Sequence, residues 1–516
     1  MTMDQLRLPN LDYASLAPML ILFGVACVGV LVEAFVPKRA RNGVQLLLSL
    51  AAIVVALVYV VLRAGKVNTA NAATAGGAIV IDNVSLFLQG TLLLLGFVAV
   101  LMFGERSLER GGPFVPQAAV TVGSDKDREL AATEGGATEV YPLVLFSLGG
   151  MLLFVSANDL LTMFVALEVF SLPLYLLCAL ARRKRLLSQE AALKYFLLGA
   201  YASAFFLFGV AMIYGFAKSV DFRSIHDAVV ANSDNTALML IGLALLAIGL
   251  LFKIAAAPFH VWTPDVYQGA PTPVTGFMAA CTKTAAFGGL LRVLYVGFDG
   301  ASWEFTPVLG VVAVLTMLVG AILAVTQTDL KRLLAYSSIA NAGYLLVGLL
   351  GGGQDGLSST LFYLVAYGFT VIAAFALVSL VRDADGEATH LSRWAGLGRR
   401  SPLFAGVFTF LLLAFAGIPL TSGFVAKFAV FGAAIGGGQT WLVIFGVLTS
   451  IILAFPYLRV VVMMWLSEPG ETTPSVSIPG GLTRAVLGIG TVATLALGVL
   501  PGPLLDLADK ASVFVR

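Results

Sequence analysis

Three lysines and one glutamate lie inside apolar stretches that are long enough to cross a membrane. They are Glu168, Lys253, Lys283 and Lys427. A charged side chain at the centre of a bilayer costs about 2.5–3.5 kcal/mol on insertion scales, so it normally has a partner and a function. A buried lysine beside a carboxylate takes up or releases its proton when a neighbouring charge changes. These residues predict a proton relay, in which the one carboxylate can form a buried pair with nearby lysines.

Two further residues are candidates for the same relay. His260 follows Pro258 and titrates near neutral pH, so it could bridge the lysines; a structural hydrogen bond to backbone freed by the proline is the alternative. Lys194 lies near one end of the sixth apolar run, where it either relays protons or extends its ammonium group to the membrane interface. An interfacial or packing role is also the alternative for the other lysines, although the central position of Lys283 disfavours it. Bridging waters are expected on Tyr267, Thr282, Ser337, Ser338 and Asn341.

The composition predicts that a polytopic all-α membrane protein positions these residues. Of 516 residues, 59% are hydrophobic and 12% are charged, and the mean hydropathy is +0.95; soluble domains carry about 25% charged residues. With about 20 apolar residues per crossing, about fourteen transmembrane helices are expected. Their expected spans are 16–36, 43–63, 79–103, 141–157, 159–181, 191–217, 236–260, 273–297, 304–326, 331–350, 357–381, 402–435, 441–466 and 483–500. Four acidic residues lie at the ends of predicted helices and are expected at the membrane interface: Glu33, Asp82, Glu304 and Asp329.

The seventh and twelfth predicted helices look broken. Pro258 follows Lys253 by five residues, and Gly417 to Pro419 interrupt a twelfth helix that is too long for one straight crossing. Proline removes a helix hydrogen bond and frees carbonyls that can hold water or ions. Matching broken helices in two halves of a chain are typical of inverted-repeat transporters with a site near the bilayer midplane. Leu-Arg-Val recurs in helices eight and thirteen, at 291–293 and 458–460.

The broken helices predict four parts of the chain. Residues 1–140 hold helices 1–3 and a polar, flexible inside loop at 104–140. Residues 141–300 form a first five-helix repeat (helices 4–8), and residues 301–466 form a second, inverted one (helices 9–13). Residues 467–516 hold helix 14.

The distribution of lysine and arginine predicts the orientation. Most of these residues fall on one side when the N-terminus is placed outside, and with fourteen crossings both termini then lie outside a bacterial plasma membrane. The segment 1–10 lacks the basic region of a cleaved signal, so the first apolar run is expected to be a permanent anchor.

Two kinds of cofactor chemistry are disfavoured by the sequence. Cys27, Cys178 and Cys281 are far apart, with no CxxC pair, which argues against iron–sulfur, zinc or disulfide chemistry. The segment 351–356 matches GxGxxG, but it joins two membrane helices and follows no strand, so it does not predict a dinucleotide site.

Four segments resemble one family, the antiporter-like membrane subunits of proton-pumping NADH:quinone oxidoreductase, respiratory complex I. They are FHVWTPDVYQGAPTPVTGFMAACTKTAAF (259–287), LLTMFVALEVFSLPLYLL (160–177), TQTDLKRLLAYSSIANAGYLLVG (326–348) and LLLAFAGIPLTSGFVAKFAVF (411–431). The resemblance covers about residues 80–470. Lys427 stands where an M-type member carries glutamate, and the chain ends without the long lateral helix of an L-type member.

The resemblance implies roles for the candidate residues. Glu168 matches the fifth-helix glutamate, Lys253 its partner lysine, Lys283 the central lysine of helix eight and Lys427 the terminal lysine of helix twelve. His260 matches the position that links two half-channels. Departures from the pattern are Asn341, where histidine is common, and Gln268, which replaces an acidic residue.

The resemblance also implies that the chain carries protons through two half-channels and holds no cofactor or metal. NADH, FMN, iron–sulfur clusters and quinone are then expected in partner subunits. The implied partners are a neighbouring antiporter-like subunit, small membrane subunits and the lipid bilayer, with no nucleic acid. Two alternatives stay open: a subunit of a multisubunit sodium/proton antiporter, and a structural membrane scaffold.

Overall fold

The computed structural model describes residues 11–65, 72–109, 111–132, 136–231, 236–383, 386–468 and 474–515. Within these ranges, twelve helices are long and apolar enough to cross a membrane. The fourth crossing is a shorter apolar helix, and two shorter helices form the halves of the twelfth. All fourteen predicted crossings therefore have a counterpart in the described residues, and the all-α polytopic class is confirmed.

The crossings are numbered here as helices 1 to 14. Their bounds are helix 1 Tyr13–Phe35, helix 2 Lys38–Arg63, helix 3 Asn83–Gly104, helix 4 Val140–Ser156, helix 5 Leu160–Cys178, helix 6 Arg185–Ala217, helix 7a Thr236–Ile254, helix 7b Trp262–Gly269, helix 8 Thr272–Gly297, helix 9 Ser302–Thr326, helix 10 Leu330–Leu350, helix 11 Gly353–Val378, helix 12a Pro402–Ala416, helix 12b Ser422–Gly436, helix 13 Thr440–Leu466 and helix 14 Gly481–Val499. Short helical segments are Ala75–Gly77, Asp125–Ala132, Phe222–Val230, Asp299–Ala301, Leu391–Trp394, Leu397–Arg400 and Gly502–Ala511.

Helices 3, 8, 10 and 11 form the centre of the bundle, since nearly all their side chains are buried. Helices 1, 2, 13 and 14 instead expose apolar side chains, as expected for surfaces that face lipid. Helix 8 is enclosed by other helices, since all its residues from 272 to 294 are buried. Any charged residue at its centre is therefore held away from both lipid and water.

Basic side chains gather at one end of the bundle. Glu109 forms ion pairs with both Arg183 and Arg382. Lys184 donates to the backbone oxygen of Glu387. A small antiparallel sheet lies here, with Val381–Asp383 between Gly386–Glu387 and Ser475–Val476. We call this the basic end.

Both ends of the described chain lie at the opposite end. The N–H of Asp12 donates to Thr74, and the N–H of Val515 donates to Asp82. A two-stranded sheet, Ala73–Thr74 with Ile79–Val80, joins these positions. Asp82 precedes the first residue of helix 3, and Glu109 follows its last residue by five positions. The length of helix 3 therefore separates the two ends of the bundle.

The two five-helix repeats have matching contacts where helices 5 and 10 begin. The N–H of Leu160 donates to Val220 O beside the short helix that precedes helix 7. The N–H of Leu330 donates to Thr389 O beside the short helices that precede helix 12. Helix 5 begins at the end opposite the basic end, since Asn158 donates to Gly77 O, whereas helix 10 begins at the basic end. The second repeat is thus inverted relative to the first.

The recurring arginine also makes the same contact in each repeat. Arg292 of helix 8 donates to Val155 O near the end of helix 4. Arg459 of helix 13 donates to Val325 O near the end of helix 9. Helices 8 and 13, and helices 4 and 9, therefore hold corresponding places in the bundle.

Asp82 lies at a helix end, as the sequence predicts, and it is fully buried within the protein. It caps helix 3 and forms a two-pronged ion pair with Arg292, at 2.9 and 3.1 Å. The ring of Phe514 covers the guanidinium at 4.9 Å. A charge pair offsets the cost of burial only with good geometry and satisfied hydrogen bonds, and this pair has both.

The polar segment 104–140 holds more structure than its composition predicts. Its described part contains the helix Asp125–Ala132. Arg185 pairs with Asp127 and donates to the backbone oxygens of Ala118 and Val120. Two nearby arginines make further contacts with this segment: Arg182 donates to Gly112 O, and Arg183 pairs with Glu109. Polar backbone groups that a loop would leave to water are held here by arginine side chains.

Candidate proton path

Lys253 lies in the last turn of helix 7a, two residues before Ala255, whose positive φ of 63° turns the backbone out of the helix. Its ammonium is buried and donates to Ser171 Oγ of helix 5 at 2.8 Å and to Tyr175 OH at 3.4 Å. Four aromatic rings surround it, at 5.4 to 5.7 Å from Nζ to centroid. The rings stabilise a cation without supplying a counter-charge.

Glu168 does not form the direct ion pair with Lys253 that the sequence predicts. Its Oε1 is buried and has no hydrogen-bond partner among the described residues. Lys253 instead binds Ser171, which lies one helical turn from Glu168 on the same face of helix 5. The hydroxyl of Ser171 was missed by the sequence reasoning, although its spacing of three residues from the glutamate places it on that face.

Lys283 lies at the centre of the enclosed helix 8, directly after a π-helical turn at Met278–Thr282. Such turns shift the register of a helix and are frequent at functional sites. The ammonium donates to Ser338 O of helix 10 and lies 5.4 Å from the ring centroid of Tyr367 in helix 11. The hydroxyls of Thr282, Ser338 and Tyr367 are buried without a hydrogen-bond partner among the described residues. Buried hydroxyls of this kind are usually satisfied by water.

Lys427 occupies the break in helix 12. It projects from helix 12b and donates to the carbonyls of Phe415 and Ala416, at 3.1 and 3.0 Å, and to Ser450 Oγ at 2.8 Å. These carbonyls are the unpaired end of helix 12a, where the helix dipole favours a cation. Gly417 permits this approach, since its φ is +84° and an added Cβ would lie 3.0 Å from Lys427 Cδ.

The two broken helices therefore place their lysines differently. Lys253 precedes the break of helix 7, whereas Lys427 follows the break of helix 12 and turns back to it. The two lysines belong to matching helices of the two repeats. They occupy different positions within those helices.

A small internal cavity separates Lys427 from the surroundings of Lys283. Its lining includes Tyr367, whose ring contacts Lys283, together with Tyr363, Asn341 and Lys427 itself. Tyr363 OH donates to Asn341 Oδ1 at 2.7 Å. Hydroxyl and amide groups thus line the space between the central and terminal lysines, as a water-mediated proton path requires.

His260 lies at the outer part of the break in helix 7. Pro258 and Val261 on either side are exposed, and His260 itself is half-buried. Its Nδ1 has no hydrogen-bond partner among the described residues, and the structure brings neither Lys253 nor Lys283 into hydrogen-bonding contact with it. A direct bridge between the lysines through His260 is therefore not present in this arrangement.

Lys194 belongs to an ionic cluster nearer the surface. Its ammonium lies 2.7 Å from both Glu190 and Asp265, and Asp265 pairs in turn with Arg332 at 2.6 Å. The cluster joins helices 6, 7b and 10. Asp265 was not among the site residues predicted from the sequence, although it is the only carboxylate in helix 7b.

Metal ligands are not gathered in the part of the chain that the structure describes, since it holds no group of three His, Cys, Asp or Glu side chains suited to a metal ion. Cys178 and Cys281 are buried among apolar side chains, and Cys178 Sγ contacts Met278 Sδ.

The chain matches known proteins along its whole length. A family profile described as "NADH:quinone oxidoreductase/Mrp antiporter, TM" matches residues 157–453. NADH-quinone oxidoreductase subunit N of Salinispora arenicola is 69% identical over all of both chains. The corresponding subunit of Rhodococcus opacus is 56% identical over 98% of this chain and 97% of that one.

The chain belongs to the subunit N family of NADH-quinone oxidoreductases. A chain of respiratory complex I from Thermus thermophilus is 34% identical and superposes with a TM-score of 0.75, covering 95% of this chain and 99% of that chain. A chain of the Mrp complex from Dietzia sp. has the same fold, with a TM-score of 0.80 at 24% identity over 96% of this chain and 97% of that one. The resemblance found in the sequence is thereby confirmed.

Proposed function

We propose that this chain carries protons across a membrane as a subunit of NADH-quinone oxidoreductase, through two half-channels joined at Lys283. The observation that carries the proposal is a series of three enclosed lysines, each seated on neutral acceptors. Lys253 binds Ser171, Lys283 binds Ser338 O, and Lys427 binds the end of helix 12a. None of these acceptors fixes a permanent charge on the lysine. Each lysine can therefore release its proton when a neighbouring charge rises.

The first half-channel contains Glu168, Lys253 and Lys283. Ser171 lies one turn from the glutamate and holds the lysine, so a change in the charge of Glu168 acts on Lys253 across one hydroxyl. His260 and Lys194 stand at the edge of this half, the former at the helix break and the latter in the ionic cluster with Asp265. Their role is to connect the half-channel to its surroundings through water.

The second half-channel contains Lys427 and the polar cavity beside Tyr367. A proton released by Lys283 passes the hydroxyls of helices 10 and 11 and reaches Lys427. The partial negative charge at the C-terminal end of helix 12a favours the protonated form of Lys427. Release of the proton therefore requires a change in the contacts at the break of helix 12. The matching contacts of helices 4–8 and 9–13 support two such halves, in residues 141–300 and 301–466.

The redox chemistry belongs to partner subunits. We place NADH, FMN, iron–sulfur clusters and quinone there, because this chain contributes proton carriers and no cofactor. The partners are a neighbouring antiporter-like subunit and small membrane subunits, together with lipid around the apolar surface.

The basic end faces the inside of a bacterial plasma membrane in this proposal. Lysine and arginine are enriched in cytoplasmic loops. The two ends of the described chain lie at the opposite end of the bundle, so we propose that both termini are outside.

The two alternatives are less supported. A sodium/proton antiporter subunit shares the fold, but the full-length identity of 69% is to a subunit of NADH-quinone oxidoreductase. A purely structural scaffold has no use for lysines enclosed without counter-charges, because each lowers stability.

The test is Lys283→Met in the intact complex, measured as NADH-driven proton pumping in membrane vesicles. We expect loss of pumping with normal assembly. Lys510→Met, which removes an exposed lysine from the segment Gly502–Ala511, is the control and is expected to pump normally. Unchanged pumping by Lys283→Met would end the relay proposal.

A further inference from the structure

We propose that a charged cleft at the basic end is the place of proton uptake, with Glu387 as the acceptor at its mouth and Lys331 as the residue that passes the proton inward to Lys283. This inference rests on the proposed function and adds the route by which protons reach its central lysine.

The cleft opens between helices 6, 8 and 10 and encloses about 630 Å³, part of it open to solvent. Its wall includes the turn between helices 7b and 8, at Ala270 and Thr272. Lys331 lies at its inner wall and is only 3% exposed. A buried ammonium in the wall of a cleft that opens to solvent can exchange protons through the cleft while it is shielded from bulk water.

Lys331 is linked to Glu387 by a short chain of polar contacts. Its Nζ donates to Ala270 O at 2.8 Å and to Thr272 Oγ1 at 3.1 Å. The Thr272 hydroxyl donates to Glu387 Oε2 at 2.5 Å, and that oxygen lies 3.9 Å from the lysine. Carboxylate, hydroxyl and ammonium thus form a continuous path from the mouth to the wall.

Glu387 differs from the other two carboxylates of the cleft within the described residues. Glu109 is paired with two arginines, Arg183 and Arg382. Asp329 is occupied as the cap of helix 10 and accepts from Thr389. The carboxylate of Glu387 forms an ion pair with Lys331 alone, at the long distance of 3.9 Å. It is therefore the carboxylate of the cleft that is directly connected to Lys331.

The route inward follows helix 10. Lys331 and Ser338 are seven residues apart, which is two turns and about 10 Å on one face. Ser338 O accepts from Lys283. Tyr267 of helix 7b lies beside Ser338, and its backbone oxygen accepts from the Thr275 hydroxyl. Hydroxyl groups that can hold bridging water therefore line the space between the two lysines.

A structural role for Lys331 makes a different prediction, and arginine separates the two. Arginine keeps the charge and can still bind Ala270 and Thr272, but it does not release a proton. If Lys331 only stabilises the turn between helices 7b and 8, the complex should tolerate Lys331→Arg. If Lys331 carries protons, the same substitution should impair pumping.

The experiment measures NADH-driven pumping in vesicles whose basic end faces the medium, with intact complex quantified on native gels. We expect Lys331→Arg, Lys331→Met and Glu387→Gln to assemble and to pump at least roughly tenfold more slowly, since a positioned proton-transfer group contributes about 10²–10⁴. Glu387→Asp, which retains a carboxylate, is expected to keep most of the activity. Glu304→Gln, an exposed carboxylate on helix 9, is the matched control and is expected to pump normally.

Dependence on the pH of the medium gives a second readout. Loss of the acceptor is expected to slow pumping more in alkaline than in acid medium, because capture of scarce protons becomes limiting. The charged groups that surround Glu387 are Glu109, Arg182, Arg183, Lys184, Asp329, Lys331 and Arg382. These groups are unchanged in Glu387→Gln. Their effect on the pH dependence of pumping is therefore the same in the variant and in the unchanged complex.

The outcomes distinguish this inference from the proposed function. Normal pumping by Lys331→Arg and Glu387→Gln, with pumping lost in Lys283→Met, would overturn uptake through the cleft and leave the relay intact. Normal pumping by Lys283→Met would overturn both.

Discussion

Lys253 donates a hydrogen bond of 2.8 Å to Ser171 instead of pairing directly with Glu168. The hydroxyl gives the lysine a polar partner without a charge, while the glutamate acts on it from one helical turn away. Ser171 itself donates to Leu167 O, so the position of its oxygen is fixed by helix 5. We propose that the serine couples Lys253 to a change in the charge of Glu168.

Ser171→Ala is expected to slow pumping, because a buried ammonium loses its closest hydrogen bond, at a cost of about 1–3 kcal/mol. The measurement is NADH-driven pumping by Ser171→Ala, Glu168→Gln and the double variant. If the serine mediates between the other two groups, its loss has less effect when Glu168 is already neutral. Additive effects in this cycle would show that Ser171 and Glu168 act independently. Ser85→Ala, a buried serine that belongs to the cap of helix 3, serves as a control outside the path.

The fold was predictable because its signals are local. Each crossing is an apolar run of membrane length, and both helix breaks coincide with proline or glycine in the sequence. Lys283 was identified for the same reason, since a lysine in the middle of an apolar run is visible without any tertiary information.

The partners of the lysines were less predictable, because tertiary packing supplies them. Lys427 binds backbone carbonyl oxygens at the end of helix 12a. Because every residue type has such an oxygen, the sequence does not identify these partners. The sequence does not reveal the ion pair of Asp82, because its partner Arg292 is 210 positions away. The burial of Lys331 is not visible in the sequence either, since nothing in its own segment shows that Ala270 and Thr272 enclose it.

Gly417→Ala is expected to impair pumping through its effect on Lys427. The glycine has a φ of +84°, and the new Cβ would press on the lysine side chain at 3.0 Å. The left-handed conformation alone costs alanine about 1–2 kcal/mol. Gly406→Ala in helix 12a has nothing within 4 Å of the added Cβ and is expected to be neutral or slightly stabilising. Pumping and the thermal stability of the purified complex are measured for both, and equal behaviour of the two variants would contradict the prediction.

Asp82→Asn is expected to destabilise the subunit strongly. Removal of one partner from a fully buried ion pair leaves the charge of Arg292 uncompensated, which costs about 3–5 kcal/mol. The loss is measured as a lower unfolding temperature and a lower yield of assembled complex. Asp506→Asn, an exposed carboxylate near the end of the chain, is the control. A normal yield and unfolding temperature for Asp82→Asn would mean that the pair contributes little.

The segment 104–140 is expected to loosen in acid. Hydrogen bonding from the Gly123 N–H, together with Arg185, lowers the pKa of Asp127 from its ordinary value of 3.8. A carboxyl group with a lowered pKa contributes stability above its unfolded pKa and loses that contribution as the pH falls through its folded pKa. Hydrogen exchange in residues 111–132, corrected for intrinsic rates, should therefore stay slow at neutral pH and become faster below about pH 4. Asp127→Asn should exchange fast already at neutral pH, while Asp125→Asn, whose carboxylate is fully exposed, should behave like the unchanged chain. Equal protection of all three at neutral pH would show that the other contacts of Arg185 hold the segment without the ion pair.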